Sequence, residues 1–239
     1  IHETGHGLYE QGRMQNGRDL PVSEALTMAI HESQSLFWER MIAQGKLFCA
    51  RYLPLVAETF PNNFKGVNPE QFYEAVNVSG PSLIRVEADE VTYPMHVILR
   101  YELEKGLFDG SIQVEHLPEM WNAKMKEYLG VEPPTDTLGV LQDTHWSGGA
   151  FGYFPSYTLG AIYASQFYQA LIRAKPGIEK QIEMGILATV REWLGIQIHQ
   201  QGRLLSVPAL VKRVTGENLN PDNFLDYLKN KYRQIYRLN

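Results

Sequence analysis

Ile1-His2-Glu3-Thr4-Gly5-His6 is the stretch on which the reading of this chain turns. Two histidines four positions apart, the first followed by a glutamate, form the HExxH pattern of zinc hydrolases. On a helix, positions i and i+4 lie one above the other with a rise of roughly 6 Å between them. His2 and His6 can therefore present neutral imidazoles to one metal ion. Glu3 points about 100° further round the helix, within reach of a water bound to that metal. The bland alternative is a helix with two surface histidines, and a third ligand downstream decides between them.

The extended pattern with a third histidine six residues beyond the second fails, because Tyr9 stands where glycine is required and Gly12 where histidine is required. Glu10 shares the face of His2 and His6. It rises about 12 Å from His2, too far for one ion with ligand bonds near 2 Å, and reads as a carboxylate behind the ligands or on the surface. The strong candidate is Glu32 in His31-Glu32-Ser33-Gln34, one loop further on. Two histidines, a glutamate and an open fourth position make a known catalytic zinc set. Spacing alone leaves Glu24 and Glu39 open. His31 points about 100° away from Glu32 on a helix and reads as a packed or hydrogen-bonding residue.

Composition sets the frame around this motif. The 239 residues are 44% hydrophobic and 21% charged, the balance of a globular protein with a substantial core, and the net charge of −5 argues against a nucleic-acid or anionic-membrane partner. No stretch approaches the roughly 20 apolar residues of a membrane span. Cys49, the single cysteine, excludes an intrachain disulfide, fits a reducing cytoplasm and reads as a buried, inert thiol. The chain starts one residue before its first expected ligand, with neither initiator Met nor signal peptide, which is the beginning expected of a piece of a longer protein. His2 would then lack a preceding turn, and a frayed, empty or distorted site is expected.

The rest reads as one mostly helical unit over residues 1–239, with no repeat and no linker. Residues 1–12 form a helix that stops before the polar loop Gln15-Asn16-Gly17-Arg18-Asp19. Leu26 to Tyr52 carries a helical apolar face, and Pro54 breaks it. Asn68-Pro69 caps a short helix, Leu83–Val86 reads as a short strand, and Pro94–Lys105 is a helix stopped by Gly106. Leu117 to Gly130 is another helix. Residues 139–160 form a long loop rich in glycine and aromatics, of the kind that is usually functional. Residues 158–174 are apolar all round, as a central helix would be. Helices over 178–201, from Pro208 to Gly216 and from Pro221 onward complete the chain. On the last, Phe224, Leu228 and Ile235 face inward, and Lys229, Lys231, Arg233 and Arg237 form a solvated face.

Four ordered motifs carry a resemblance. His2-Glu3-Thr4-Gly5-His6-Gly7-Leu8-Tyr9-Glu10-Gln11 and His31-Glu32-Ser33-Gln34-Ser35 resemble the paired signatures of the carboxypeptidase Taq family of HExxH zinc metallocarboxypeptidases. Ile84-Arg85-Val86-Glu87-Ala88-Asp89 matches its [IV]RxxAD pattern, and Gly139-Val140-Leu141-Gln142-Asp143-Thr144-His145-Trp146 its GxxQDxHW pattern. The resemblance implies a nearly all-helical metallopeptidase fold with a deep groove, leaving room for a very small β-sheet near the active site. It implies release of single residues from peptide C-termini, Zn²⁺ (with Co²⁺ as a substitute), a cytoplasmic location and a homodimer. It assigns His2, His6 and Glu32 to the metal and Glu3 to general-base catalysis. The family's HPF and DxRxT signatures belong to an N-terminal half not found here, so the chain resembles the C-terminal half and its missing partner is that N-terminal half.

The remaining roles come from chemistry. A tetrahedral intermediate needs donors besides the metal, and His145 and Tyr157, with Tyr153 as the alternative, can place an imidazole and a phenol beside it from the aromatic loop. A terminal carboxylate suits a bidentate arginine. Arg85 is that candidate, its other reading being a salt bridge to Glu87, Asp89 or Asp143. Gln142 and Asp143 read as braces. His96, His116 and His199 read as structural or exposed. Besides the carboxypeptidase, two readings stay open: a metal-binding fragment without activity, and a metalloendopeptidase.

Overall fold

Sequence periodicity becomes helix almost throughout. The computed structural model describes residues 1–17 and 19–238, and among these it forms eleven α-helices, several short 3₁₀ turns, one π-helical stretch and no β-strand. The α-helices are α1 (His2–Gly12), α2 (Met28–Leu36), α3 (Lys46–Thr59), α4 (Pro69–Val76), α5 (Tyr93–Asp109), α6 (Leu117–Leu129), α7 (Pro155–Ala174), α8 (Ile178–Glu183), α9 (Ala188–Gln197), α10 (Val207–Thr215) and α11 (Asp222–Tyr236). Arg18 of the expected polar loop lies outside the described residues. None of the described helices is long and apolar enough to cross a membrane.

The backbone divides into two compact units. One comprises Ile1–Asn77 and Leu159–Asn239, the other Val78–Thr158. The core of the first gathers Ile30 of α2, Phe37, Met41 and Ile42 just after it, Ala164, Phe167 and Leu171 of α7, Leu194 of α9, Leu210 of α10 and Phe224 of α11. Each of these is nearly or wholly buried, and each large apolar side chain of this kind is worth about 1.5–3 kcal/mol. In the second unit Leu99 and Leu103 of α5 pack on Trp121, Met125 and Leu129 of α6.

Several boundaries differ from expectation, each for a physical reason. The helix expected over Leu26–Tyr52 is three pieces: α2, a π-helical stretch over Phe37–Ala43 and α3. Pro54 does not end α3, because it sits on the exposed side, where water can satisfy the carbonyl its missing N–H leaves free. The strand expected at Leu83–Val86 is instead a 3₁₀ turn over Arg85–Glu87, so the small β-sheet is not formed among the described residues. Gly106 does not stop α5; it is a buried helix position, where a Cβ would lie 2.5 Å from Ile112 Cδ1, and the stop is Gly110 at φ 78°. Residues 178–201 break at Gly185, whose φ of 77° ends α8 and separates it from α9. Lys231, expected in water, is 8% exposed, its Nζ donating to the Tyr227 hydroxyl at 3.0 Å.

Candidate metal centre and the arginine–aromatic cluster

α1 and α2 pack side by side, and at their closest approach α1 offers Gly5. A Cβ on Gly5 would lie 2.6 Å from Ser35 Cα and 2.7 Å from the Gln34 carbonyl oxygen, so only glycine permits this approach. The Thr27 hydroxyl caps α2 by accepting from Ile30 N at 3.3 Å. α7 crosses the same place at Gly160, where a Cβ would fall 2.7 Å from Glu32 Cγ. The Glu32 side chain thus runs through a slot lined by glycine, and the residue is buried at 7% exposure.

The result is a convergent donor set. One donor atom each from His2, His6 and Glu32 lies within 4.8 Å of the others. His2 Nε2 is 3.8 Å from Glu32 Oε1, and His6 Nε2 is 3.6 Å from Glu32 Oε2. A tetrahedral ion with bonds near 2.1 Å spaces its ligands by about 3.4 Å, so these residues fit such an ion with little movement. Two imidazoles and one carboxylate also suit zinc chemically. Glu3 lies on the exposed side of α1, and its charge is felt by both imidazoles.

Both rings are held from behind. His2 Nδ1 is 2.5 Å from Glu39 Oε2, and this hydrogen bond raises the His2 pKa above its ordinary value against the effect of burial. His6 Nδ1 is 2.6 Å from His31 Nδ1. Burial, followed by the His31 and His2 rings, holds the His6 pKa below its ordinary value. The neutral state that a ligand histidine needs is therefore favoured at His6. Glu39, one of the alternatives left open by spacing, supports His2. Glu24, the other, is half exposed and pairs with Arg203 at 2.7 Å. The first turn of α1 is closed by Gly5 N donating to the Ile1 carbonyl at 3.0 Å.

The second unit carries its own cluster. Asp143 Oδ1 accepts from Arg85 Nε and Nη2, at 3.1 and 2.7 Å, and Oδ2 accepts from Arg100 Nε at 2.6 Å. Burial would raise the Asp143 pKa, but Arg85 and Arg100 hold it below the ordinary carboxylate range, while burial brings Arg100 down to about 10. Gln142 ties the two later motifs together: its Oε1 accepts from Arg85 N and Arg100 Nη2, and its Nε2 donates to the carbonyls of Leu83 and Leu138. Gln142 and Asp143 are therefore braces. Arg85 is 3% exposed, donates its third nitrogen to the Tyr93 hydroxyl and lies over the Tyr157 ring at 4.7 Å. Of the two readings of Arg85, the geometry favours the salt bridge, with Asp143 as the partner rather than Glu87 or Asp89. Asp89 instead accepts from Ser79, Gly80, Val91 and Thr92 and organises the turn into α5.

His145 Nε2 and the Tyr157 hydroxyl are 2.9 Å apart, and the Tyr153 ring packs edge-on against Tyr157 at 5.3 Å. Burial, then Arg85, lowers the His145 pKa and so favours its neutral form. The loop that carries them is anchored by Glu104, a residue the sequence reading passed over. Its carboxylate accepts from Trp146 Nε1 at 2.7 Å and from Gly152 N at 2.5 Å. The available signal was a charged residue inside the apolar face of α5. His96 and His199 are buried and His116 is exposed, in keeping with their structural readings.

Comparison with known proteins agrees with this architecture. Residues 1–232 match the model of the carboxypeptidase Taq (M32) metallopeptidase family, and the chain belongs to that family. It is 44% identical to Carboxypeptidase 1 of Bacillus subtilis (strain 168) over 238 residues, which is 100% of this chain and 48% of that protein. It is 43% identical to Thermostable carboxypeptidase 1 of Thermus thermophilus, covering 99% of this chain and 46% of that one. The crystal structure of the M32 carboxypeptidase from Deinococcus radiodurans R1 superposes with a TM-score of 0.95 at 38% identity, over 99% of this chain and 48% of that chain. The chain thus spans about half the length of the curated relatives it matches.

Proposed function

We propose that this chain is the metal-binding part of a zinc-dependent carboxypeptidase, with His2, His6 and Glu32 as the ligands. The observation that carries the reading is the convergence of those three donors within 4.8 Å. The family membership and the carboxypeptidase names of the relatives support it. Zinc held there would polarise the scissile carbonyl and bring the pKa of a coordinated water to about 7. Glu3 takes a proton from the attacking water and returns it to the leaving amine. His145 and Tyr157, joined as an imidazole–phenol pair, are the donors for the tetrahedral intermediate, with Tyr153 packed against them. Arg85 holds that pair and Asp143 in place. The same reading takes peptides as substrates, the cytoplasm as the location, a homodimer as the intact form and Co²⁺ as a substitute for Zn²⁺.

A span of about half the relatives' length favours a second reading, in which this chain binds metal without turning over. Release of single C-terminal residues from an N-blocked peptide, with and without added Zn²⁺ or Co²⁺, separates the two. Turnover by the chain supports the enzyme. No turnover by the chain, alongside turnover once an N-terminal half of the family is supplied, supports the metal-binding part. Equal cleavage of peptides with amidated and free C-termini would replace the carboxypeptidase by an endopeptidase.

A further inference from the structure

The two candidate ligand histidines are supported differently, and the difference has a chemical consequence. Behind His2 stands a carboxylate, Glu39, which can accept from Nδ1–H whatever else happens. Behind His6 stands another imidazole. His6 Nδ1 and His31 Nδ1 are 2.6 Å apart, a distance that demands one shared proton between them. Two protons would collide, and none would leave two lone pairs facing each other.

His31 is in turn bonded on its far side. Its Nε2 is 3.0 Å from Glu10 Oε1. The other Glu10 oxygen, Oε2, is 2.7 Å from Arg13 Nη2, and Arg13 Nη1 donates to the carbonyl of the buried Ser23 at 3.0 Å. A carboxylate is acceptor-only, so the His31 proton belongs on Nε2 and its Nδ1 becomes the acceptor. His6 must then carry its proton on Nδ1, which leaves the Nε2 lone pair pointing at Glu32 and the metal position. The polarity of the whole chain, His6 to His31 to Glu10, is set by the only group in it that cannot donate.

We propose that His31 and Glu10 are positioning residues for the metal: a relay of imidazole and carboxylate that selects the metal-binding tautomer of His6. The inference rests on the metal reading of His2, His6 and Glu32. Partners behind a metal-bound histidine commonly change metal affinity by 10–100-fold. In Glu10→Ala, His31 loses its bias towards Nε2–H, and its Nδ1–H form opposes the His6 proton. In Glu10→Gln, the amide oxygen still accepts from His31 Nε2–H, so most of the bias returns.

The test measures Zn²⁺ affinity of the 239-residue chain by competition with a chromophoric chelator, and reads histidine tautomers from long-range ¹H–¹⁵N correlations in the Zn²⁺-loaded wild type. The expected result is binding weakened about 10–100-fold in Glu10→Ala, largely restored in Glu10→Gln, with His31 protonated on Nε2 and His6 on Nδ1. A purely structural carboxylate would predict no rescue by glutamine beyond its effect on the metal-free melting temperature. The tautomer measurement needs no variant, so it decides even if Glu10→Ala folds poorly. A His31 proton on Nδ1, or equal affinity in wild type and Glu10→Ala, overturns the relay while leaving the metal site intact. Absence of Zn²⁺ binding by the wild type overturns the metal site and the relay with it.

Discussion

Gly160 carries no side chain because Glu32 occupies the space where one would stand. A Cβ there would lie 2.7 Å from Glu32 Cγ, 2.8 Å from its Cβ and 3.2 Å from its carbonyl carbon. None of these atoms is the free end of a flexible chain, so Gly160→Ala must push α7 away from α2. The expected result is a loss of about 1–3 kcal/mol in unfolding free energy, together with weaker metal binding as Glu32 is displaced. An unchanged metal affinity in a folded Gly160→Ala protein would sink the slot as a determinant of the site. The candidate ligand Glu32 and the candidate base Glu3 separate by a different pair of substitutions. Glu32→Gln should weaken metal binding, whereas Glu3→Gln should keep the metal and lower kcat by about 10²–10⁴. Measuring metal content and turnover on both variants checks the assignment, and a Glu3→Gln protein that stays active removes Glu3 as the base. At this scale the convergence of His2, His6 and Glu32 was legible, since HExxH is a periodic pattern with a chemical meaning. Gly5 and Gly160 were not singled out, although a glycine inside a helical stretch costs about 1 kcal/mol against alanine and so hints at close approach.

The loop between α6 and α7 is held as an element by one carboxylate. Glu104, on α5, accepts from the indole of Trp146 and from the backbone N–H of Gly152, and so fastens the loop at two points six residues apart in sequence. Glu104→Ala leaves a half-buried indole N–H and a backbone N–H without this acceptor, at about 1–3 kcal/mol for each group that stays buried. The expected outcome is a red-shifted Trp146 emission and faster proteolysis within residues 147–152, with α5 and α6 still folded by far-UV circular dichroism. Protease resistance equal to wild type would show that the aromatic packing of Trp146 on Trp121 and Phe154 holds the loop alone. Helices with caps were read closely from sequence: Asn68 and Gln71 form the capping box that starts α4, and Gly130 and Gly216, both left-handed, end α6 and α10. What stayed hidden was decided by tertiary context. The π-helical stretch over Phe37–Ala43 has the same apolar residues an α-helix would have, and nothing in their spacing announces the wider turn that carries Glu39. Arg85 could be read as ligand or brace because its partner, Asp143, is 58 positions away.

Acid should weaken both units of the molecule through one buried histidine in each. His96, in the second unit, is brought down to about 4 by burial and by the charges of Arg100 and Arg85, against the opposing pull of Asp143 and Asp89. His199, in the first, is brought down to about 4 by burial and by His31, while its Nε2 meets Gln34 Oε1 at 3.0 Å. In the unfolded chain an unperturbed histidine takes up its proton near pH 6.5. Between pH 6.5 and about 4 the unfolded state therefore binds protons that the folded state refuses. The stability from these two rings is fully present above pH 6.5 and drains away as the pH falls towards 4. Each ring is worth on the order of 3 kcal/mol across that range, at about 1.4 kcal/mol per pH unit. Asp89 and Asp143, both held below the ordinary carboxylate range, extend the loss to lower pH. His2 acts in the opposite sense, since Glu39 raises its pKa, but it is one partly exposed ring against two buried ones. Urea titrations of the metal-free chain at pH 7.5, 5.5 and 4.5 should give falling midpoints, and His96→Asn should flatten the part of that slope that belongs to residues 78–158. A midpoint that holds steady or rises from pH 7.5 to 4.5 would mean that the two rings accept protons in the folded state, and with that their structural role as neutral, buried groups would be lost.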